Sequence, residues 1–372
     1  MKTEFYYGMS SFSSEPIHFD RRKNKLPNGM VFGQAGAGKT FMAKNEICQV
    51  IGKTADPIII IDEGGEYSNL ATEVNPFDEK SEYHINPLDV YIGNNTFCNR
   101  EEIIPYYVTL AMFEEIIGRP LNAYESNVVE RSCNAVFEPF TEHLKEHLRT
   151  DGKHCDYASN PTLKDVADAA PELRLIEKFN SVYMYIDRYF SYKTNMPDDR
   201  AIQLAWRKVP LPHKITKAAY TACLHYVWNR LVQHHDNMSN AKEYEHLWVY
   251  LENADVAFHS VTKGLTNSLM NLYCRSNRQY GGIVTLIAQD YTDILNSEQG
   301  RACINNTEFL RFLNINQNNR ENIRKMYGLS DDMLESIYDV SYGYGLLCIN
   351  SNWISFELRN EINEHLPDKT KS

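Results

Sequence analysis

The segment Gly33-Gln34-Ala35-Gly36-Ala37-Gly38-Lys39-Thr40 constrains this chain more than any other. Gly33, Gly38, Lys39 and Thr40 complete the pattern G-x-x-x-x-G-K-[ST]. The apolar run Met30-Val31-Phe32 precedes it, and a helical stretch follows to about Ile51. A strand, a glycine-rich turn and a helix in that order build a cradle for phosphate. Backbone N–H groups must meet the oxygens, so side chains stay small at Gly33, Ala35, Gly36, Ala37 and Gly38. The start of the helix adds the positive end of its dipole. The loop from Gly33 and Gln34 to Thr40 and Phe41 is therefore expected to bind a nucleoside triphosphate, ATP with Mg²⁺. Lys39 supplies charge for the β/γ-phosphates, and the Thr40 hydroxyl is placed to ligate the magnesium.

At 372 residues the chain is longer than one simple core needs, and about two folding units are expected. No apolar run approaches the ~20 residues that a membrane span needs. The start, Met1-Lys2-Thr3-Glu4-Phe5, has no signal-peptide architecture. A cytoplasmic location is expected, with peripheral docking on a complex at the inner face of the membrane left open. The eight cysteines are scattered without a C-x-x-C pair, a pattern of reduced, mostly buried thiols rather than zinc or disulfides. His234-His235 and the helically spaced His143 and His147 are a weak metal signal, and a solvated helix face explains them as well. A net charge of −11 argues against a broad nucleic-acid-coating surface, although not against a small basic pore lining. The cluster Arg21-Arg22-Lys23-Lys25 reads first as a solvated loop, with contact to DNA or anionic lipid as the alternative.

Along the chain, Phe5–Gly8 and Pro16–Asp20 read as lead-in strands, and Pro57-Ile58-Ile59-Ile60-Ile61-Asp62 as a strand buried on both faces. The acidic turn Asp62-Glu63-Gly64-Gly65-Glu66-Tyr67 follows, then a further strand at 82–85. Residues 99–240 change to helical spacing, with helices expected at 163–169, 172–190, 199–206 and 214–234. This predicts an inserted all-helical subdomain within an α/β core made of residues 1–98 and 241–360. Strands return at 246–251, 283–288, 309–313, 345–350 and 353–358, with helices at 262–278 and 331–336; residues 361–372 form a polar tail.

A phosphate loop that hydrolyses its ligand also needs carboxylates at an apolar strand end. Two places compete. Asp62-Glu63 ends the cleaner apolar run, whereas Glu252 ends the later strand, with Asn253 after it. The later position is favoured for the magnesium shell, with Asp62 as the alternative. Asn253 cannot act as a base, so Glu66 or Glu63 must help activate water or hydrolysis is slow. Gln289 ends another apolar strand, where its amide can sense the γ-phosphate. Arg275 and Arg278 precede that strand, and in a ring one of them reaches a neighbour's nucleotide.

The segments Gly33–Thr40, 60–67, 85–89, 248–252, 278–282, 288–290 and 343–347, in that order, resemble the motor domain of the conjugative-transfer, type IV secretion ATPases of the HerA–FtsK superfamily. The resemblance implies a RecA-like, mostly parallel sheet with a helical insertion. It also implies homo-oligomers, hexamers or dimers, acting with secretion-channel subunits and a coupling ATPase. Relatives carry a separate N-terminal domain, so an excised motor or a minimal version is expected. The family has Asp-Glu where this chain has Glu252-Asn253, and Thr-Gln where it has Ala288-Gln289. A non-hydrolysing ATP-binding scaffold and a ring translocase on DNA are the competing functions.

Overall fold

A computed structural model describes residues 4–90, 105–150, 160–169, 172, 179–208, 211–239, 241, 243–258, 269–270 and 273–358. Among these, eleven strands form one sheet: β1 (Phe5–Ser10), β2 (Pro16–Phe19), β3 (Gly29–Phe32), β4 (Ile58–Ile61), β5 (Thr72–Val74), β6 (Ala201–Leu204), β7 (Leu247–Leu251), β8 (Gly282–Ala288), β9 (Phe309–Phe312), β10 (Tyr344–Ile349) and β11 (Asn352–Glu357). Their order is β2-β1-β11-β10-β9-β3-β8-β7-β4-β6-β5. From β9 to β5 every neighbouring pair is parallel, and β10, β11, β1 and β2 add an antiparallel extension.

The parallel strands are buried on both faces, which is why their sequences are nearly continuous apolar runs. Alternate side chains serve opposite layers. Val31, Ile58, Ile60, Trp248, Tyr250, Ile283 and Ile287 pack with the phosphate-loop helix, Lys39–Lys53. Met30, Phe32, Ile59, Ile61, Val249, Leu251, Val284 and Leu286 face the other layer, which includes the long helix His213–Met238 and the helices Pro105–Ile117 and Phe179–Tyr189.

Several expectations are corrected. The stretch 199–206 is not a helix; Ala201–Leu204 is β6, paired with β4 and β5 in the main sheet. The region 99–240 is therefore not all-helical, because it returns a strand to the core. Residues 82–85 form no strand. The N–H groups of His84 and Asn86 are taken by the side chains of Asn195 and Thr194, at 2.8 and 2.7 Å, instead of by a strand ladder. The basic cluster is a solvated loop only in part, with Lys23 and Lys25 exposed. Arg21 is fully buried and pairs with Glu46, while Arg22 and Lys23 pair with Asp20. Two cysteines are not free: Cys274 and Cys303 form a disulfide, brought together across 29 residues with no motif to announce it. Cys48, Cys133, Cys223 and Cys348 are buried thiols, as expected. Most of the helix expected at 262–278, the tail from 361, and Cys98 and Cys155 lie outside the described residues. So do the side chains of His143 and His147. No described helix is long and apolar enough to cross a membrane.

Candidate nucleotide site

The phosphate loop leaves β3 at the carboxyl end of the parallel sheet, where ligands of open α/β sheets bind. Its glycines are there for stated reasons. Gly36 and Gly38 have φ of +78° and +95°, a region that costs an L side chain strain. A Cβ on Gly33 would meet Ala37 and Leu313 at 3.0 Å, so the loop closes only without one. The amide of Gln34 is tied to the Asn314 carbonyl at 2.8 Å and that of Ala37 to the Gln34 carbonyl at 3.1 Å. The first N–H groups of the helix, at Lys39, Thr40 and Phe41, have no partner four residues earlier and are left for a ligand. The Lys39 ammonium donates to the carbonyls of Gly33 and Gln34, at 2.8 and 3.1 Å. Burial lowers its pKa, against the nearby Glu252, Asp255 and Glu66.

A cavity of about 440 Å³ joins Ala35, Gly36, Lys39 and Thr40 to Asp62, Glu63, Gly64, Glu66, Arg207, Glu252, Asn253 and Gln289. Register explains the gathering. Ile61 pairs with Leu251, so Asp62 and Glu252 leave neighbouring strand ends side by side; Phe32 pairs with Ala288, which puts Gln289 next to the loop.

The two carboxylates that compete in sequence have different jobs. Asp62 organises its turn: Oδ1 accepts from Gly64 N at 2.9 Å, and Oδ2 from Glu66 N at 2.6 Å and Gln203 Nε2 at 2.8 Å. That leaves little of it for a metal. Glu252 is buried and accepts a hydrogen bond from the Tyr67 hydroxyl. Burial, with Asp62 and Glu66 nearby, pushes its pKa up to about 7 against the pull of Tyr67 and Lys39. A buried acid this close to other carboxylates is a place that a divalent cation would neutralise. Thr40 and Glu252 thus fit Mg²⁺. Among the described residues no cluster of three or more His, Cys, Asp or Glu side chains could hold a metal ion by itself.

Asn253 stands at φ +51°, in the left-handed region where asparagine is among the best tolerated residues after glycine. The departure from the expected glutamate therefore has a backbone correlate. Arg207 is the lining residue that sequence reasoning missed. It follows β6, and its N–H is held by the Glu63 carbonyl at 2.9 Å; reading 199–206 as a helix hid it. Arg278 is not in the cavity. It precedes β8 at the opposite end of the sheet, where its guanidinium donates to the Lys25 carbonyl at 3.1 Å, so it can serve only another subunit's site. Arg275, just before it, is likewise exposed and outside the cavity. Phe41, one residue past Thr40, packs against Tyr342 rather than lining the cavity.

The family model described as "Helicase HerA, central domain" matches residues 29–196, which hold the phosphate loop and the acidic turn. This segment is similar to that domain over those residues. Among solved structures, VirB4 of Thermoanaerobacter pseudethanolicus superposes with a TM-score of 0.77, covering 98% of each chain at 18% identity. The bacterial conjugative coupling protein TrwB, without its first 70 residues and unbound, gives 0.54 at 11% identity, over 95% of this chain and 89% of that one. TrwB in complex with ADP and Mg²⁺ gives 0.55 at 11% identity, over 95% and 90%. These likenesses establish a RecA-like fold for the described residues. No curated protein sequence matches it.

Proposed function

We propose that this chain is the ATP-driven motor domain of a conjugative-transfer or type IV secretion machine. The observation that carries this is one cavity joining a complete phosphate loop to Glu252, the Asp62–Glu66 turn and Gln289. In the working site Lys39 and the loop amides hold the triphosphate, Thr40 and Glu252 hold Mg²⁺, and Gln289 senses the γ-phosphate. The bound magnesium would draw charge from the phosphate oxygens. Glu66 lines the cavity with its backbone fixed by Asp62, and we assign to it the placing of the attacking water. The solved relatives, a VirB4 and the conjugative coupling protein TrwB, support a place among channel subunits at the inner face of the membrane, with a coupling ATPase as a further partner. Homo-oligomers give Arg278 a nucleotide to reach. DNA is the weaker substrate, since much of the one basic cluster is buried or paired.

A second reading, an ATP-binding scaffold that does not hydrolyse, is favoured by Asn253 alone. Nucleotide binding and turnover separate the two. Lys39→Ala is expected to weaken ATP binding strongly, and unchanged affinity would refute the loop assignment. Glu66→Gln is expected to keep ATP affinity and lower turnover by about 100-fold, within the range for a lost general base. Wild-type turnover that is negligible, yet rises in Asn253→Glu, would select the scaffold.

A further inference from the structure

We propose that Tyr342 and Phe41 form the platform on which the base of the bound nucleoside triphosphate stacks. This deepens, and rests on, the triphosphate reading of Gly33–Thr40. The catalytic cavity opens from the loop toward β8, β7 and β4, on one side of β3. A triphosphate with its γ end at Glu252 and Gln289 must therefore run its α-phosphate, ribose and base the other way. That path crosses the first turn of the helix past Thr40, toward β9 and β10.

Two aromatic rings stand there. Phe41 follows Thr40 directly, and its ring centroid lies 5.1 Å from that of Tyr342 with the planes tilted by 46°. The tilt makes an open notch rather than a closed stack. Tyr342 also lies against the loop itself: its ring carbon is 3.0 Å from where a Cβ on Gly38 would sit. Yet 56% of Tyr342 is exposed, so the ring is open to a ligand.

It is held in place from both ends. The Asn314 carbonyl accepts from the loop amide of Gln34 at 2.8 Å, while Asn314 Oδ1 accepts from the Asp339 amide at 3.1 Å. After Tyr342, Gly343 turns at φ +93°, and its carbonyl accepts from Leu358 N at 2.8 Å. One residue thus fixes the aromatic segment relative to the phosphate cradle. A flat π-face at constant distance from a phosphate site suits a nucleobase, and stacking serves any base because every base has a π-face.

The test is calorimetric titration of the full chain with ATP and, separately, with inorganic tripolyphosphate, which has no base. Tyr342→Ala is expected to weaken ATP about tenfold, the low-to-middle range for losing one base stack. It should leave tripolyphosphate affinity as in wild type, which also shows that the variant is folded. Tyr342→Phe keeps the ring and should retain ATP affinity, and Phe41→Ala should resemble Tyr342→Ala. Wild-type ATP affinity in Tyr342→Ala, or parallel loss of ATP and tripolyphosphate, overturns the platform while leaving the loop reading intact. If the wild type binds neither ligand, the loop reading fails and the platform with it.

Discussion

Replacing Glu46 by alanine probes how the phosphate loop is held to the sheet. Glu46 lies seven residues after Lys39, two turns along the same helix, and is 1% exposed. Its carboxylate accepts from Tyr7 Oη at 2.7 Å on β1, Tyr250 Oη at 3.1 Å on β7, Arg311 Nη2 at 3.2 Å on β9, and Arg21 Nη1 at 2.9 Å. Arg21 in turn donates to Thr285 Oγ1 at 2.9 Å on β8. Burial alone would raise the pKa of Glu46, but Arg21, Arg311 and the Tyr7 hydroxyl outweigh it and hold the carboxyl below its usual range. Removing the carboxylate leaves two buried guanidinium groups facing each other without an anion. Breaking one side of a buried pair costs about 3–5 kcal/mol. With an unfolding entropy of about 2.1 cal/mol/K per residue, 372 residues give roughly 0.8 kcal/mol/K, so Tm should fall by about 4–6 °C. Urea unfolding followed by circular dichroism measures the loss directly. Glu46→Gln should lose nearly as much, because it keeps the shape and removes the charge. A triple replacement of Arg21, Glu46 and Arg311 by Met, Leu and Met should recover most of it. A loss below about 1 kcal/mol in Glu46→Ala, at unchanged urea sensitivity, would refute the claim that the carboxylate neutralises both arginines.

Tyr67→Phe removes the hydroxyl that Glu252 accepts from, and should cost about 1.5–3 kcal/mol and weaken magnesium-dependent ATP binding; equal stability by urea titration would show that the bond contributes nothing. Asn253→Gly should leave stability within about 0.5 kcal/mol, whereas Asn253→Ala should lose about 1 kcal/mol, because only the latter forces a Cβ without a local polar partner into φ +51°. The Asp89 carboxylate is buried, with Thr194 and Asn86 alongside, and burial pushes its pKa up to about 7. Since the folded chain then holds a proton that the unfolded chain has released, stability should fall as pH rises from about 4 to 7. A shift of roughly 3 units corresponds to about 4 kcal/mol at most, and urea titrations at pH 5 and 8 should show that slope flatten in Asp89→Asn.

The parallel core was legible because strands buried on both faces spell continuous apolar runs. Ile58–Ile61, Leu247–Leu251 and Gly282–Ala288 stand where the pattern predicts. β6 was not legible, and Gln203 is the reason. A polar residue interrupts a four-residue strand, and it is tolerated there because it donates to the buried Asp62 carboxylate. Ile202 and Trp206 then fall at helical spacing, and the segment imitates a helix. Arg21 was misread for a related reason: its partner Glu46 is 25 residues away, and nothing local marks an arginine that will be buried. Arg207 reaches the cavity by tertiary placement alone, from a segment whose own sequence carries no phosphate-site pattern.

The competition between Asp62 and Glu252 dissolves for a similar reason. Sequence treats them as rival ends of rival strands, because 190 positions separate them. In the sheet β4 and β7 are neighbours in register, so the two acids occupy adjacent rungs at one carboxyl edge. Their roles then divide by hydrogen bonding. Asp62 spends both oxygens on its turn and on Gln203, and so sets the position of Glu66. Glu252 keeps one oxygen beyond its bond to Tyr67, beside Lys39 and the loop. Because the Asp62 turn carries Glu66 into the cavity, a chain with Asn253 after its later strand can still present a carboxylate to water from the earlier one. Under the assignment of Glu66 proposed above, the acidic turn supplies, from the adjacent strand, the carboxylate that the residue after Glu252 lacks.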